Sequence, residues 1–242
     1  MLLQEVEPYR KPSGYECIIP VSGGKDSYYQ VHFVIEKLGL RPLLVTYNGN
    51  NYLDIGWQNL QKMKQVFKVD HIVVSPSIDL LKRMNRLCFR KTGDMNWQNH
   101  CGIFTVPIQI AVKFDIPLMF WGEHGWTELG GMHSMNDFPE FTYRYRVDQG
   151  LRGYDWYDFV GDEIDTIEES EMECFKYPSD EKIQKVGVRG IHIGFFDPWD
   201  ANKHAKLVME KYGWKEIEIP FERTYRRISN LDDRYENGVH DL

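Results

Sequence analysis

A chain of 242 residues with 42% apolar and 14% aromatic side chains holds enough material for one sizeable core and is too apolar for general disorder. Its 29 Lys+Arg against 36 Asp+Glu leave a net charge of −7, so no global positive field gathers a polyanion and nucleic acid is not an expected partner. The N-terminus has no apolar signal segment, no run reaches the roughly 20 apolar residues of a membrane span, and the four cysteines include no C-x-x-C pair; a cytoplasmic protein with reduced thiols and no membrane partner is expected.

Short apolar runs alternate with amphipathic stretches through the first half, the pattern of a parallel sheet covered by helices. Cys17 to Val21 reads as a first buried strand, followed by a glycine turn and a helix with Val31, Val34 and Leu38 on one face. Gly39 stops that helix. Leu43 to Tyr47 is a second strand, Ile55 to Phe67 a second helix, and His71 to Val74 a third strand. Ile78 to Phe89 and Ile103 to Phe114 are expected to be helical, the latter with Pro107 in its first turn, where a missing N–H does least harm. Pro117 to Trp121 gives a fourth strand ending at Gly122.

Beyond Gly122 the rhythm breaks. Residues 155–173 hold nine acids and no Lys or Arg, which reads as a solvated excursion or a lid. Ile191, Ile193 and Phe195 alternate like a fifth strand, and Asn202 to Tyr212 form a helix capped near Asp200. The expected architecture is a doubly wound, mostly parallel α/β sheet. Residues 1–130 would form the nucleotide-binding core, and 131–242 a substrate-binding and sheet-completing region of the same domain. The closing Asn237-Gly238 turn leads into nothing, so a chain truncated at its C-terminus is expected.

Ser22-Gly23-Gly24-Lys25-Asp26-Ser27 leaves the first strand and opens the first helix, where sheets of this kind bind ligands. Glycines let the backbone approach a phosphate, and the N–H groups at a helix start point at it with the positive end of the dipole. Ser22 and Ser27 add hydroxyls, and Lys25 a compact cation. The loop is neither a Walker A sequence nor a G-x-G-x-x-G turn. Asp26 is either an orienting residue and Mg²⁺ ligand or a first-turn acid favoured by the dipole. Asn48, at the end of the second strand beside the loop, is either an adenine contact or an ordinary turn residue.

Gly122-Glu123-His124 and Glu128 leave the fourth strand at the same sheet edge; two carboxylates and an imidazole there suit metal binding, substrate orientation or proton transfer, or else are packed loop residues. Arg144, Arg146 and Arg152 lie amid Tyr143, Tyr145 and Tyr154. They could take a phosphate or carboxylate, stack on RNA, or pair with the acids of 155–173, the plainest of the three. Cys101, beside His100, reads as a buried thiol in preference to a nucleophile.

The hexapeptide resembles the SGGxDS signature of the PP-loop ATP pyrophosphatases, Rossmann-like enzymes that cleave ATP between the α and β phosphates. CIIPVSGGKDSYYQV, CGIFTVPIQIAVKFDIPLMFWGE, ELGG and FFDPWDANKHAKLVMEKYGW, spread over nearly the whole chain, narrow the resemblance to the N-acetyl sugar amidotransferases of bacterial O-antigen and pseudaminic or legionaminic acid pathways. The family's cysteine-bearing segment before the loop and its residues past the equivalent of Leu242 have no counterpart in this sequence. The resemblance implies ATP and Mg²⁺ as cofactors, a nucleotide-linked N-acetyl sugar as substrate and a separate glutaminase subunit as the source of ammonia. It implies catalytic work by Lys25, Asp26, Glu123 and Glu128, nucleotide binding by Ser22–Ser27, Asn48 and Gly122, and substrate contacts by His124, Arg144, Arg146 and Arg152. The competing classes are a PP-loop tRNA-modifying or sulfur-transfer enzyme, and a subunit that binds ATP without turning it over.

Overall fold

The computed structural model describes residues 2–122, 140–220 and 227–228. Five strands form one all-parallel sheet: β1 (Cys17–Pro20), β2 (Pro42–Tyr47), β3 (His71–Val74), β4 (Leu118–Trp121) and β5 (Arg189–His192), in the spatial order β3-β2-β1-β4-β5. Winding goes outward from β1 through β2 to β3, then returns to β4 on the other side. The order therefore reverses between β1 and β4, and in open α/β sheets the crevice outside the strand ends at that reversal is where ligands bind. Cys17 sits opposite Pro42 and Pro20 opposite Val45, while Leu118 to Trp121 lie opposite Arg189 to His192.

Alternation along the strands sends side chains into two cores. Cys17, Ile19, Leu44, Leu118, Phe120 and Ile191 pack against α2 (Lys25–His32, which runs on as a wider turn to Lys37), α3 (Asp54–Phe67) and α8 (Ala201–Tyr212). Ile18, Leu43, Val45, Met119 and Trp121 pack against α4 (Ile78–Thr92), α5 (Trp97–Phe114) and α7 (Asp180–Val186). Because β1 is buried on both sides, its sequence is a continuous apolar run instead of an alternating one. A short N-terminal helix, α1 (Leu2–Val6), and one of three residues, α6 (Tyr143–Tyr145), complete the named helices. Local signals set the ends: Ser77 Oγ accepts from Leu80 N at the start of α4, Asp200 accepts from Asn202 and Lys203 N at the start of α8, and left-handed Gly93 and Gly213 stop both helices.

Three expectations change. Helix α5 begins at Trp97, six residues before the expected start, so Pro107 lies well inside it; the bond it cannot give would have gone to the carbonyl of Ile103, an exposed residue on the outer side of the helix. The fifth strand ends at His192, and Ile193–Phe195 form a tight helical turn, the apolar alternation there serving packing of Ile193 and not a ladder. The acidic stretch is not merely solvated. Phe159, Ile167 and Met172 are buried in the second core, and the acids pair with the basic face of α4: Arg83 with Glu171 (2.5 Å), Arg86 with Asp165 (2.6 Å), and Arg90 with both Asp165 (2.5 Å) and Asp162 (2.8 Å). Among the described residues no helix is long and apolar enough to cross a membrane.

Candidate nucleotide site at the sheet switch point

The loop after β1 is held in one shape by its own residues, by α3 beneath it and by one distant aromatic anchor, Trp214. Gly23 has φ +81°, and a Cβ there would come within 2.8 Å of the backbone of Leu60, so the loop lies directly on α3 and only glycine fits. Its carbonyl accepts from Trp214 Nε1 at 3.0 Å. Ser22 N donates to Ser27 Oγ at 2.9 Å, and the two hydroxyls meet at 3.1 Å. Gly24 precedes α2 with no side-chain cap, leaving the first N–H groups of the helix free of an intrachain side-chain acceptor.

Asp26 stands in the first turn of α2 between two cations or donors. Lys25 Nζ is 2.6 Å from Oδ2, and His204 Nδ1, delivered by α8, is 3.4 Å from Oδ1. Burial alone would raise the carboxyl, but the bond from His204 and the charge of Lys25 outweigh it and hold Asp26 below the usual carboxylate range. The site thus keeps a fixed anion at the mouth of the loop.

In front of the loop opens a cavity of about 380 Å³ over the ends of β1, β2 and β4. One half of its wall is polar: Ser22, Asp26, Ser27, Gly49, Asn51 and Asn99. The other is aromatic: Tyr47, Phe104, Trp121, Tyr145 and His192. Phe104 packs 5.1 Å from Trp121 and 5.8 Å from Tyr145, whose ring lies 5.5 Å from His192. Two glycines permit close approaches in the wall, one on each half. A Cβ at Gly102 would enter the Tyr47 ring at 2.4 Å, and one at Gly49 would meet Asn99 Oδ1 at 2.5 Å. Between β1 and β4 the amide of Gln30 bridges the strand ends, its oxygen accepting from Gly122 N at 2.8 Å and its nitrogen donating to the Pro20 carbonyl at 3.2 Å.

The residues expected from sequence distribute unevenly. Ser22, Asp26, Ser27 and Gly122 line the cavity; Gly23, Gly24 and Lys25 shape or brace the loop behind it. Asn48 is buried in the turn after β2, where Oδ1 accepts from Asn50 N (2.9 Å) and Nδ2 donates to Ser75 Oγ (3.0 Å); its side chain is not in the cavity wall. Glu123, His124 and Glu128 lie outside the described residues.

The three arginines do not converge on this cavity, and their acids are not those of 155–173. Arg144 pairs with Asp148 (3.1 Å), Arg146 with Asp180 (2.9 Å) and Arg152 with Asp94 (2.8 Å). Arg146 is buried between the rings of Tyr143 and Tyr177, 5.2 and 5.3 Å from their centres, in the wall of a second hollow of about 410 Å³. Cys101 is fully buried, bonded to Thr105, and its thiol is pushed up to about 12 by burial, so it is not a ready nucleophile.

Sequence reasoning assigned no site role to Gln30, Asn99, His204 or Trp214, and it set Tyr145 in the arginine cluster instead of beside the phosphate loop. His204 could be placed on the last helix, four residues after the capping Asp200, but its sequence position does not tell what it meets.

No protein-family model and no curated protein sequence matches this chain. Among solved structures it is similar to a predicted subunit of tRNA methyltransferase from Methanocaldococcus jannaschii, at 13% identity over 81% of this chain and 87% of that one, with a TM-score of 0.34. It is also similar to NMN synthetase from Francisella tularensis, at 12% identity over 88% of each chain, with a TM-score of 0.41.

Proposed function

We propose that this protein is a PP-loop ATP pyrophosphatase that activates an amide carbonyl oxygen for replacement by ammonia. One observation carries the reading: the Ser22–Ser27 loop sits at the carboxyl end of β1, at the sheet's switch point, and opens into a cavity with Asp26, Ser22 and Ser27 in its wall. Loop amides and the α2 N-terminus suit the β,γ-pyrophosphate, and Lys25 suits the charge that grows on it as the α–β bond breaks.

Mg²⁺ fits this site in a limited way. Among the described residues no three metal-ligating side chains cluster, but an ion chelated by phosphate oxygens and water needs only one or two carboxylates, which Asp26 can supply. Bound there, the ion would neutralise phosphate charge. The chain's own residues would hold the nucleotide through the loop amides and fix the Asp26 carboxylate through Lys25 and His204.

An amide oxygen is a poor leaving group. Its attack on the α-phosphorus expels pyrophosphate and makes an O-adenylate; ammonia then adds to the activated carbon, AMP departs and a proton is lost, leaving an amidine. The aromatic half of the cavity supports a substrate with an apolar ring face, because Phe104, Trp121 and Tyr145 offer flat carbon surfaces beside the phosphate loop. With the four motifs quoted above, this favours a nucleotide-linked N-acetyl sugar as acceptor and a glutaminase subunit as the ammonia source. The buried, raised thiol of Cys101 gives sulfur transfer no support.

The test is a panel of nucleotide-linked N-acetyl sugars with ATP, Mg²⁺ and ammonium, followed by mass spectrometry. AMP, pyrophosphate and a product lighter by about one mass unit, the difference between O and NH, are expected. ADP and phosphate would refute cleavage at the α–β bond, a requirement for tRNA would move the protein to the modifying enzymes, and ATP binding without turnover would make it a nucleotide-binding subunit.

A further inference from the structure

The last helix reaches back to the phosphate loop through one buried imidazole. His204 is 178 residues from Asp26, yet its Nδ1 lies 3.4 Å from Asp26 Oδ1. A carboxylate only accepts, so Nδ1 carries the hydrogen of this contact. At 3.4 Å the bond is long and weak in energy, and what distinguishes it is how firmly the ring is held. His204 is 3% exposed, stacked on Tyr29 with ring centres 3.6 Å apart and planes 14° from parallel, and braced edge-on by Trp199 at 4.6 Å. Tyr29 is itself anchored, its hydroxyl donating to Asp197 Oδ2, and Lys37 Nζ approaches that carboxylate at 3.3 Å. Asp200 fixes the start of the helix that carries His204 by accepting from two backbone N–H groups.

Asp26 is therefore gripped on both oxygens, by Lys25 through Oδ2 and His204 through Oδ1, and cannot turn its carboxylate without breaking one of them. A lysine on a flexible stem fixes a position poorly. The stacked imidazole supplies the rigid half of the grip. On the functional reading given above, on which this inference rests, the orientation of that carboxylate beside the triphosphate sets how well the reacting atoms are aligned, and an error of about 1 Å in such a site costs on the order of 10²-fold in rate.

We propose that His204 is a positioning residue that holds the Asp26 carboxylate in its working orientation, so that the Asp200–His204 segment of the last helix is part of the nucleotide site. The alternative is a histidine buried only for packing, and two substitutions separate the two roles because they rank in opposite order. His204→Phe keeps an aromatic ring to stack on Tyr29, at a somewhat larger volume, but has no donor. His204→Asn loses the stack and keeps an N–H donor at the position of Nδ1.

The experiment measures kcat/KM for ATP by pyrophosphate release, alongside Tm, for the full chain and both variants. His204→Phe should retain most of the Tm and lose at least about tenfold in kcat/KM, while His204→Asn should lose more Tm and stay within about threefold of the parent rate. In an Asp26→Asn background His204→Phe should have no further effect on rate. Rates that follow Tm, with Phe at or above Asn, or a full His204→Phe effect in the Asp26→Asn background, overturn the proposal and leave the ATP reading intact. Absence of AMP and pyrophosphate from the parent protein itself would remove the ATP reading, and the positioning role with it.

Discussion

Trp214 donates its indole N–H to the carbonyl of Gly23 at 3.0 Å, joining the residues after the last helix to the phosphate loop. The indole is 2% exposed, so neither partner has water as a substitute. Trp214→Phe keeps most of the packing and orphans a buried carbonyl, which costs about 1–3 kcal/mol. Urea denaturation should show that loss, and pyrophosphate release should show a raised KM for ATP. A stability change within about 0.3 kcal/mol would mean the bond is replaced or absent in solution.

Gly23 gives the strictest test of the loop. Alanine there must adopt a left-handed backbone, at about 1–2 kcal/mol, and must also push its Cβ away from Leu60 backbone 2.8 Å off. Because Leu60 Cα sits in the middle of α3, the loop is the part that yields. Gly23→Ala should fold with a lower denaturation midpoint and lose about 10²-fold or more in ATP cleavage, since the amides no longer point at one phosphate position. Gly24→Ala is the control: φ is −69° and its Cβ would meet only Ser22 Oγ, at 3.6 Å. Equal damage from both substitutions would show that glycine geometry is not the cause.

The first four strands and the loop between β1 and α2 were legible in the sequence because they depend on local pattern. CIIP and LLVTY are buried on both faces, and continuous apolar runs bounded by Gly and Pro say so directly. What tertiary contacts decide was not legible. Nothing near Arg86 in sequence announces that Asp165, 79 residues on, is its partner, and charge counting alone made 155–173 look solvated. Arg146 stood in a basic-aromatic cluster that suggested an anion site; the fold places Asp180 against it. His204 was missed for the same reason, since a helix pattern tells which residues share a face and not what that face meets.

The pairing of α4 with the acidic stretch makes Asp165 a structural residue. Its carboxylate is almost fully enclosed and receives Arg86 and Arg90 together, and their bonds hold it below the usual carboxylate range. Asp165→Asn keeps the shape and removes the charge. The 155–175 segment should then open more often, read as nicking by a nonspecific protease roughly tenfold faster, with ATP cleavage altered less than twofold because none of these groups lines the nucleotide cavity. Unchanged nicking would return the stretch to a solvated role.

Acid sensitivity should begin with a histidine beneath the loop. Thr46 Oγ1 gives its one hydrogen to the Val21 carbonyl, so the 2.8 Å contact with His71 must be donated by Nε2, which ties β1, β2 and β3 together just below the site. Burial, reinforced by Lys64, pushes the His71 ring down to about 4, against 6.5 for the free side chain. Between those values the unfolded chain binds a proton that the folded chain does not, so stability rises with pH across the window. This contribution is fully present above about pH 6.5 and falls away as the pH drops towards 4. His32, lowered by burial and by Lys211, acts in the same direction. His71→Gln retains a donor near the position of Nε2 but does not titrate, so a plot of Tm against pH from 7 to 4 should be visibly flatter for the variant while keeping the slope due to His32. An identical slope in the two proteins would show that His71 takes up its proton in the folded state as readily as in the unfolded one.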